Sequence, residues 1–155
     1  AGAAVAARRP TLPHISRFDR PWSGAHGCSE LWFDQRVDHF GPGDGSADLT
    51  WKQRYFLCRE DLWKRAGAPV LFYCGNEANV ELYLNATGLM WENADELGTA
   101  LVFAEHRFFG ESFPVPREAV SKSMYLLSSE QALADYAGLL HHLRLAGGSL
   151  RPAVA

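Results

Sequence analysis

Serine, histidine and cysteine are the side chains in this sequence that could carry covalent or acid–base chemistry, and their neighbours limit what each can do. Two serines follow glycines in a way that invites a nucleophile reading, Gly147-Gly148-Ser149 and Gly110-Glu111-Ser112. A nucleophilic serine needs a sharp strand-to-helix turn that opens its hydroxyl to a histidine and to backbone donors. Ser149 is followed by Leu150-Arg151-Pro152 and comes before a strand-like run, not after one. Ser112 is followed by Phe113-Pro114, and that proline blocks the helix that would have to begin there. Both serines are therefore expected to be loop residues. His141 and His142 are neighbours in a helical pattern and diverge by about 100°, so they cannot grip one metal ion together. No metal site is expected.

Cys28, Cys58 and Cys74 are too far apart for any paired-cysteine zinc or redox motif. An odd count leaves at least one thiol without a partner in this sequence. Cys58 and Cys74 each lie in an apolar strand-like run and are read as buried thiols. A disulfide would require an oxidising compartment. Asn85-Ala86-Thr87 is an N-glycosylation sequon, which if used places Asn85 on the surface of a protein that passes through the secretory route.

The elements that would position these groups follow from composition and periodicity. The 155 residues are 47% apolar with 12% aromatics, enough for one domain with a real core. The net charge of -3 comes from 15 basic and 18 acidic residues spread along the chain, which argues against a nucleic-acid or polyanion-binding surface. No run approaches the roughly 20 apolar residues of a membrane span, so no membrane partner is expected. Ala1 to Ala7 is small and apolar with Arg8 and Arg9 behind it, at best the remnant of a signal peptide. The start is thus expected to be incomplete or processed.

Residues 1–30 show no hydrophobic period and read as a flexible arm or pro-region ahead of a folded part at 31–155. Leu31 to Phe40 and Trp51 to Cys58 are aromatic-rich runs flanking Gly41-Pro42-Gly43-Asp44-Gly45, which predicts an antiparallel hairpin. Pro69 to Cys74 and Ala100 to Ala104 are continuous apolar runs, the pattern of strands buried on both faces. Between them, Val80 to Leu97 predicts one short turn and then a helix closed by Gly98. Ser128-Ser129-Glu130-Gln131 has the form of a capping box, and Leu133, Tyr136, Ala137, Leu140 and Leu143 make an apolar helical face running to about Leu145. Pro152 to Ala155 opens another strand. A hairpin followed by alternating strands and helices predicts an α/β fold whose sheet becomes mostly parallel, with helices on both faces.

Four segments in order resemble the family of serine peptidases that contains lysosomal prolyl-Xaa carboxypeptidase and dipeptidyl peptidase II. They are Phe33 to Phe40, Val70 to Glu77, Val102 to Ser112, and Ser129 to Tyr136, so that the resemblance spans roughly residues 31 to 155. Asn85 to Trp91 is closer to the carboxypeptidase branch. The resemblance implies the N-terminal part of an α/β-hydrolase with a helical cap, no cofactor, and a Ser, Asp, His triad in that chain order. It implies a nucleophile on a Gly-Gly-Ser-Tyr-Gly-Gly elbow beginning just beyond Ala155, hence no catalytic residue here, and a substrate containing proline. It also implies lysosomal, vacuolar or secreted localisation and a possible homodimer of the full-length protein. The loop after the strand at 69–74 would supply half of the oxyanion hole, with Gly75 and the Asn76 amide nearest the developing charge and Glu77 beside the substrate. Ala78 and Cys74 stand where the family more usually has Gly and Thr. The family's histidine lies beyond residue 155, so His106, at a strand end in Glu105-His106-Arg107, is expected to pack and hydrogen-bond instead of react. The alternatives are a truncated product that acts only by binding, and an α/β-hydrolase acting as a dipeptidyl peptidase or an esterase.

Overall fold

The computed structural model describes residues 27–41, 49–64, 69–147 and 153–154. Two nine-residue strands, β1 (Cys28–Arg36) and β2 (Thr50–Cys58), pair antiparallel in continuous register from Cys28 opposite Cys58 to Arg36 opposite Thr50. β1 starts within the stretch expected as an arm; residues 1–26 lie outside the described residues. It also stops four residues short of the expected Phe40. From Asp38 the chain leaves the sheet because its polar groups find partners on a helix instead: the His39 N–H donates to Gln131 Oε1 and the Gln131 amide donates to Asp38.

After β2 a short helix, α1 (Glu60–Trp63), leads toward β3 (Val70–Cys74). The expected short turn is a six-residue helix, α2 (Glu81–Ala86), and the expected helix follows as α3 (Gly88–Leu97), with the break at Thr87. Gly98 closes α3 in the left-handed conformation at φ 60°, with the Thr99 N–H returning to the Ala94 carbonyl at 3.0 Å. β4 (Ala100–Ala104) is buried throughout. Two 3₁₀ turns, Arg117–Lys122 and Met124–Leu126, precede α4 (Ser129–Gly147), and β5 (Ala153–Val154) follows.

The sheet order is β1-β2-β4-β3-β5, with β2 antiparallel to β4 and β3 parallel to both β4 and β5. Side chains alternate across it. Tyr55, Leu57, Phe72, Val102 and Ala104 face α4, where they meet Ala132, Tyr136, Leu139 and Leu143. Phe56, Cys58, Leu101 and Phe103 face α2 and α3 through Val80, Leu84 and Ala94. The result is a mixed α/β sheet covered on both faces, as the element pattern requires.

Two expectations change. α4 keeps Tyr136, Leu140 and Leu143 of its expected face against the core but shifts the stripe: Leu133 is 63% exposed, and Asp135 is fully buried beside Tyr136. The reason is electrostatic: Asp135 turns inward to meet Arg107. Cys58 is not a free thiol; it is bonded to Cys28, joining the first residue of the hairpin to its last, whereas Cys74 stays reduced. Directly opposed antiparallel residues bring their Cα atoms to 4.1 Å, close enough to bond. The bond closes a separation of 30 residues, for which chain-entropy arguments give about 3 to 4 kcal/mol. Replacing both cysteines by alanine should lower the unfolding free energy by about that amount, measured by urea denaturation. Alkylation before reduction should label Cys74 alone; labelling of Cys28 or Cys58 in the unreduced protein would contradict the bond.

Candidate oxyanion loop and the ionic clusters that hold it

The parallel strands β3 and β4 end side by side, and ligands of α/β sheets bind beyond such carboxyl ends. The turn leaving β3 at Gly75 lies there. A side chain at Gly75 has no room: a Cβ would sit 2.3 Å from the Ala104 carbonyl oxygen and 2.9 Å from the His106 nitrogen. The turn can therefore press flat against the end of β4 only with glycine at this position. From inside, the Tyr136 hydroxyl donates to the Gly75 carbonyl at 2.8 Å. Burial pushes that phenol above its ordinary pKa, so it stays a donor.

Asn76 and Glu77 are exposed at the tip. Asn76 donates from its side-chain amide to the Tyr73 hydroxyl at 3.0 Å, and its carbonyl accepts the Ala78 N–H at 2.7 Å. The backbone N–H of Asn76 has no hydrogen-bond partner among the described residues. Gly75, Asn76 and Glu77 thus share one turn, with a buried carbonyl below and an unengaged amide above.

The far end of the loop is anchored by a carboxylate. Glu105, wholly buried just after β4, accepts from the Val80 N–H at 3.1 Å, from Arg54 through Nε and Nη2 at 3.2 and 2.7 Å, from the Glu111 N–H at 2.9 Å and from Ser112 Oγ at 2.8 Å. Arg54 extends the cluster outward to Glu81 at 2.7 Å and Asn79 at 2.9 Å. Burial opposes the Arg54 charge, but Glu105 and Glu81 outweigh it and hold the guanidinium above its ordinary pKa. The turn around Glu105 closes at Gly110, φ 55°, where any Cβ would collide with the carboxylate.

A second cluster lies on the α4 side. Arg107 grips Asp135 with Nε and Nη2 at 2.7 and 2.8 Å, and both side chains are fully buried. Arg107 also donates to the Leu126 carbonyl at 2.9 Å, and Asp135 takes a contact at 2.7 Å from His39 Nε2. Gln35 donates both to Gln53 and to the Asp135 backbone carbonyl, while Gln53 donates to the Glu105 carbonyl at 2.8 Å. The two clusters are therefore stitched together across β1 and β2. Ser128 caps α4 through the Gln131 N–H at 3.3 Å, but Gln131 does not complete a capping box, because its side chain serves His39 and Asp38. The Phe40 N–H and then the Gln131 amide, both donating to it, hold the Asp38 carboxyl below its ordinary pKa.

The remaining candidates resolve simply. His106 Nδ1 donates to the Arg107 carbonyl at 2.8 Å, and its ring packs edge-on to Phe109 and Tyr136, a structural role. Ser112 is buried, donates to Glu105 and accepts the Arg54 N–H at 2.9 Å, so its hydroxyl is committed to the scaffold. Ser149 lies outside the described residues. Asn85 is exposed at the end of α2, its amide donating to the Glu81 carbonyl at 3.2 Å, while Thr87 Oγ1 donates to the Tyr83 carbonyl at 2.8 Å. The His142 ring packs against Phe33 in a tilted arrangement, with centroids 4.6 Å apart. Among the described residues no group of three metal-ligating side chains converges, and no helix is long and apolar enough to cross a membrane. Arg54, Glu105, Arg107 and Asp135 carry most of this architecture, and sequence reading passed over them as site-forming residues. Their signal was a charge inside or beside an apolar run, with an opposite charge in another such run to pair with it.

A doubly covered mixed sheet with an open turn at the end of its parallel strands defines an α/β protein with its candidate site on that turn. Comparison with known proteins gives the family: residues 35–149 match the model of the serine carboxypeptidase S28 family, and the chain belongs to it. Its relatives include the lysosomal Pro-X carboxypeptidases of Mus musculus, 45% identical over 92% of this chain, and of Homo sapiens, 41% identical over 98%. The prolyl carboxy peptidase like protein 5 of Caenorhabditis elegans is 47% identical over 58% of the chain. This chain covers 29% and 32% of the two mammalian proteins' lengths.

Arg107→Met should cost about 3 to 5 kcal/mol of stability, because it leaves the Asp135 charge buried without its partner. Chemical denaturation measures this, and a loss below about 1 kcal/mol would show that the cluster is not a structural tie.

Proposed function

We propose that this chain is the N-terminal part of an α/β-hydrolase that acts as a serine exopeptidase on peptide bonds next to proline; its mammalian relatives are named Pro-X carboxypeptidases. The observation that carries the reading is the turn after β3: a glycine pressed against β4 and, next to it, the exposed residue Asn76, whose amide N–H has no partner among the described residues.

In this reading the triad comes from parts of the protein outside this sequence. The serine oxygen attacks the carbonyl carbon of the scissile bond while the histidine takes the hydroxyl proton. The carbonyl oxygen becomes an oxyanion, stabilised by the Asn76 N–H and by the N–H after the nucleophile. Collapse expels the leaving amine, which receives the proton from histidine, and water then hydrolyses the acyl-enzyme. Gly75 allows the backbone to approach, and Glu77 faces the substrate. The exposed Glu77 carboxylate supports a second reading, dipeptidyl peptidase specificity, since it suits a substrate's terminal ammonium better than a terminal carboxylate.

The full-length protein should release the C-terminal residue from peptides ending in Pro-X and lose this activity to a serine-directed fluorophosphonate, while the 155-residue chain is inactive. Pro-X hydrolysis by the 155-residue chain, abolished in Ser149→Ala, would refute the assignment; cleavage of esters but not of prolyl peptides by the full-length protein would move it to the esterases.

The Cys28–Cys58 bond and the exposed Asn85 sequon both favour a secretory route, and the lysosomal names of the mammalian relatives favour the lysosome as its end. In a secretory host Asn85→Gln should remove one endoglycosidase-sensitive mass increment. An unchanged mass would show that the sequon is unused.

A further inference from the structure

We infer that Tyr136 is a positioning residue that aims the Asn76 N–H toward the substrate, a step that deepens the proposed peptidase reading and rests on it. The Gly75 carbonyl and the Asn76 N–H belong to one peptide unit. No described peptide bond is cis, so this unit is planar and its C=O and N–H point in opposite directions. Whatever fixes the carbonyl therefore fixes the amide.

Tyr136 fixes the carbonyl. Its hydroxyl reaches Gly75 O at 2.8 Å from α4, and the ring is buried against Phe72 and His106 at centroid distances of 6.0 and 6.4 Å. With the carbonyl drawn toward α4, the Asn76 N–H points away from that helix, on the side where Asn76 is exposed and where no described residue accepts from the amide. Gly75 itself abuts Ala104 and His106, so the turn is packed closely against the end of β4. Hydrogen bonding to the carbonyl also polarises the unit and makes its N–H a better donor. Loss of the phenol hydroxyl strands a buried carbonyl, which a peptide flip toward solvent would relieve at the cost of turning the N–H inward.

This separates Tyr136 from a residue that merely packs. A packing role would act through the fold, and would move substrate binding and turnover together. An aiming role acts on the oxyanion, which exists only in the tetrahedral state.

The test is Tyr136→Phe in the full-length peptidase, which keeps the ring, with rates normalised to active sites by fluorophosphonate titration so that only folded enzyme is counted. We expect kcat on a Pro-X peptide to fall about fivefold, the weight of one ordinary hydrogen bond, with KM unchanged. A peptide aldehyde, which forms a tetrahedral adduct, should bind more weakly by the same factor, while the cleavage product ending in proline binds as before. Unchanged kcat and aldehyde affinity in an active enzyme would overturn the inference alone, as would KM and product affinity moving together with kcat. A wild-type protein without Pro-X activity would sink the peptidase reading, and this inference with it.

Discussion

Arg107 and Asp135 are both sealed from solvent, and a charge in that position is tolerable only beside its opposite. The bidentate contact between them is the constraint from which much of the structure follows. It decides which side of α4 faces the sheet, since Asp135 must point inward whatever the apolar residues around it prefer. It explains the exposed Leu133 and the inward stripe of Ala132, Tyr136, Leu139 and Leu143. It also bends the chain after β1, because His39 and Asp38 leave the ladder to complete the cluster through Asp135 and Gln131.

The second cluster does for the loop after β3 what the first does for α4. Glu105 accepts donors from β2, from the loop at Val80 and from the turn at Glu111 and Ser112, so one carboxylate sets the distance between three segments. Gln53 joins the two clusters through the Glu105 carbonyl and through Gln35. Seen this way, the four family-like segments are distant in sequence but contiguous in space. Each contributes a member: Gln35, Asp38 and His39 from the first, Gly75 from the second, Glu105 and Arg107 from the third, Gln131, Asp135 and Tyr136 from the fourth. Their common task is to hold the ends of β3 and β4 and the turn between them. Reactive side chains are not what they share.

That division of labour suits a serine hydrolase. Stabilising an oxyanion demands little of the chain beyond a backbone N–H that points the right way and does not move when charge develops. A rigid, internally paired scaffold behind an exposed turn provides this, and the serine, histidine and aspartate of the proposed mechanism need not lie in the same stretch of sequence.

Much of this was legible from the residues in order. Continuous apolar runs at Val70–Cys74 and Ala100–Ala104 announced strands buried on both faces, and Gly98 announced the end of α3, because burial and left-handed φ leave local marks. The wrong setting of Ser112 for a nucleophile was also local, a matter of the Phe113-Pro114 that follows it. Pairings between distant segments left no such mark. That Cys28 meets Cys58 depends on a hairpin register, and that Leu133 yields the core face of α4 to Asp135 depends on where Arg107 ends up after β4. Local sequence determined the elements and their order, since propensity and periodicity are short-range. Only the tertiary structure decided which polar groups went inside, since a buried charge or donor is acceptable solely where a partner from elsewhere in the chain arrives to meet it.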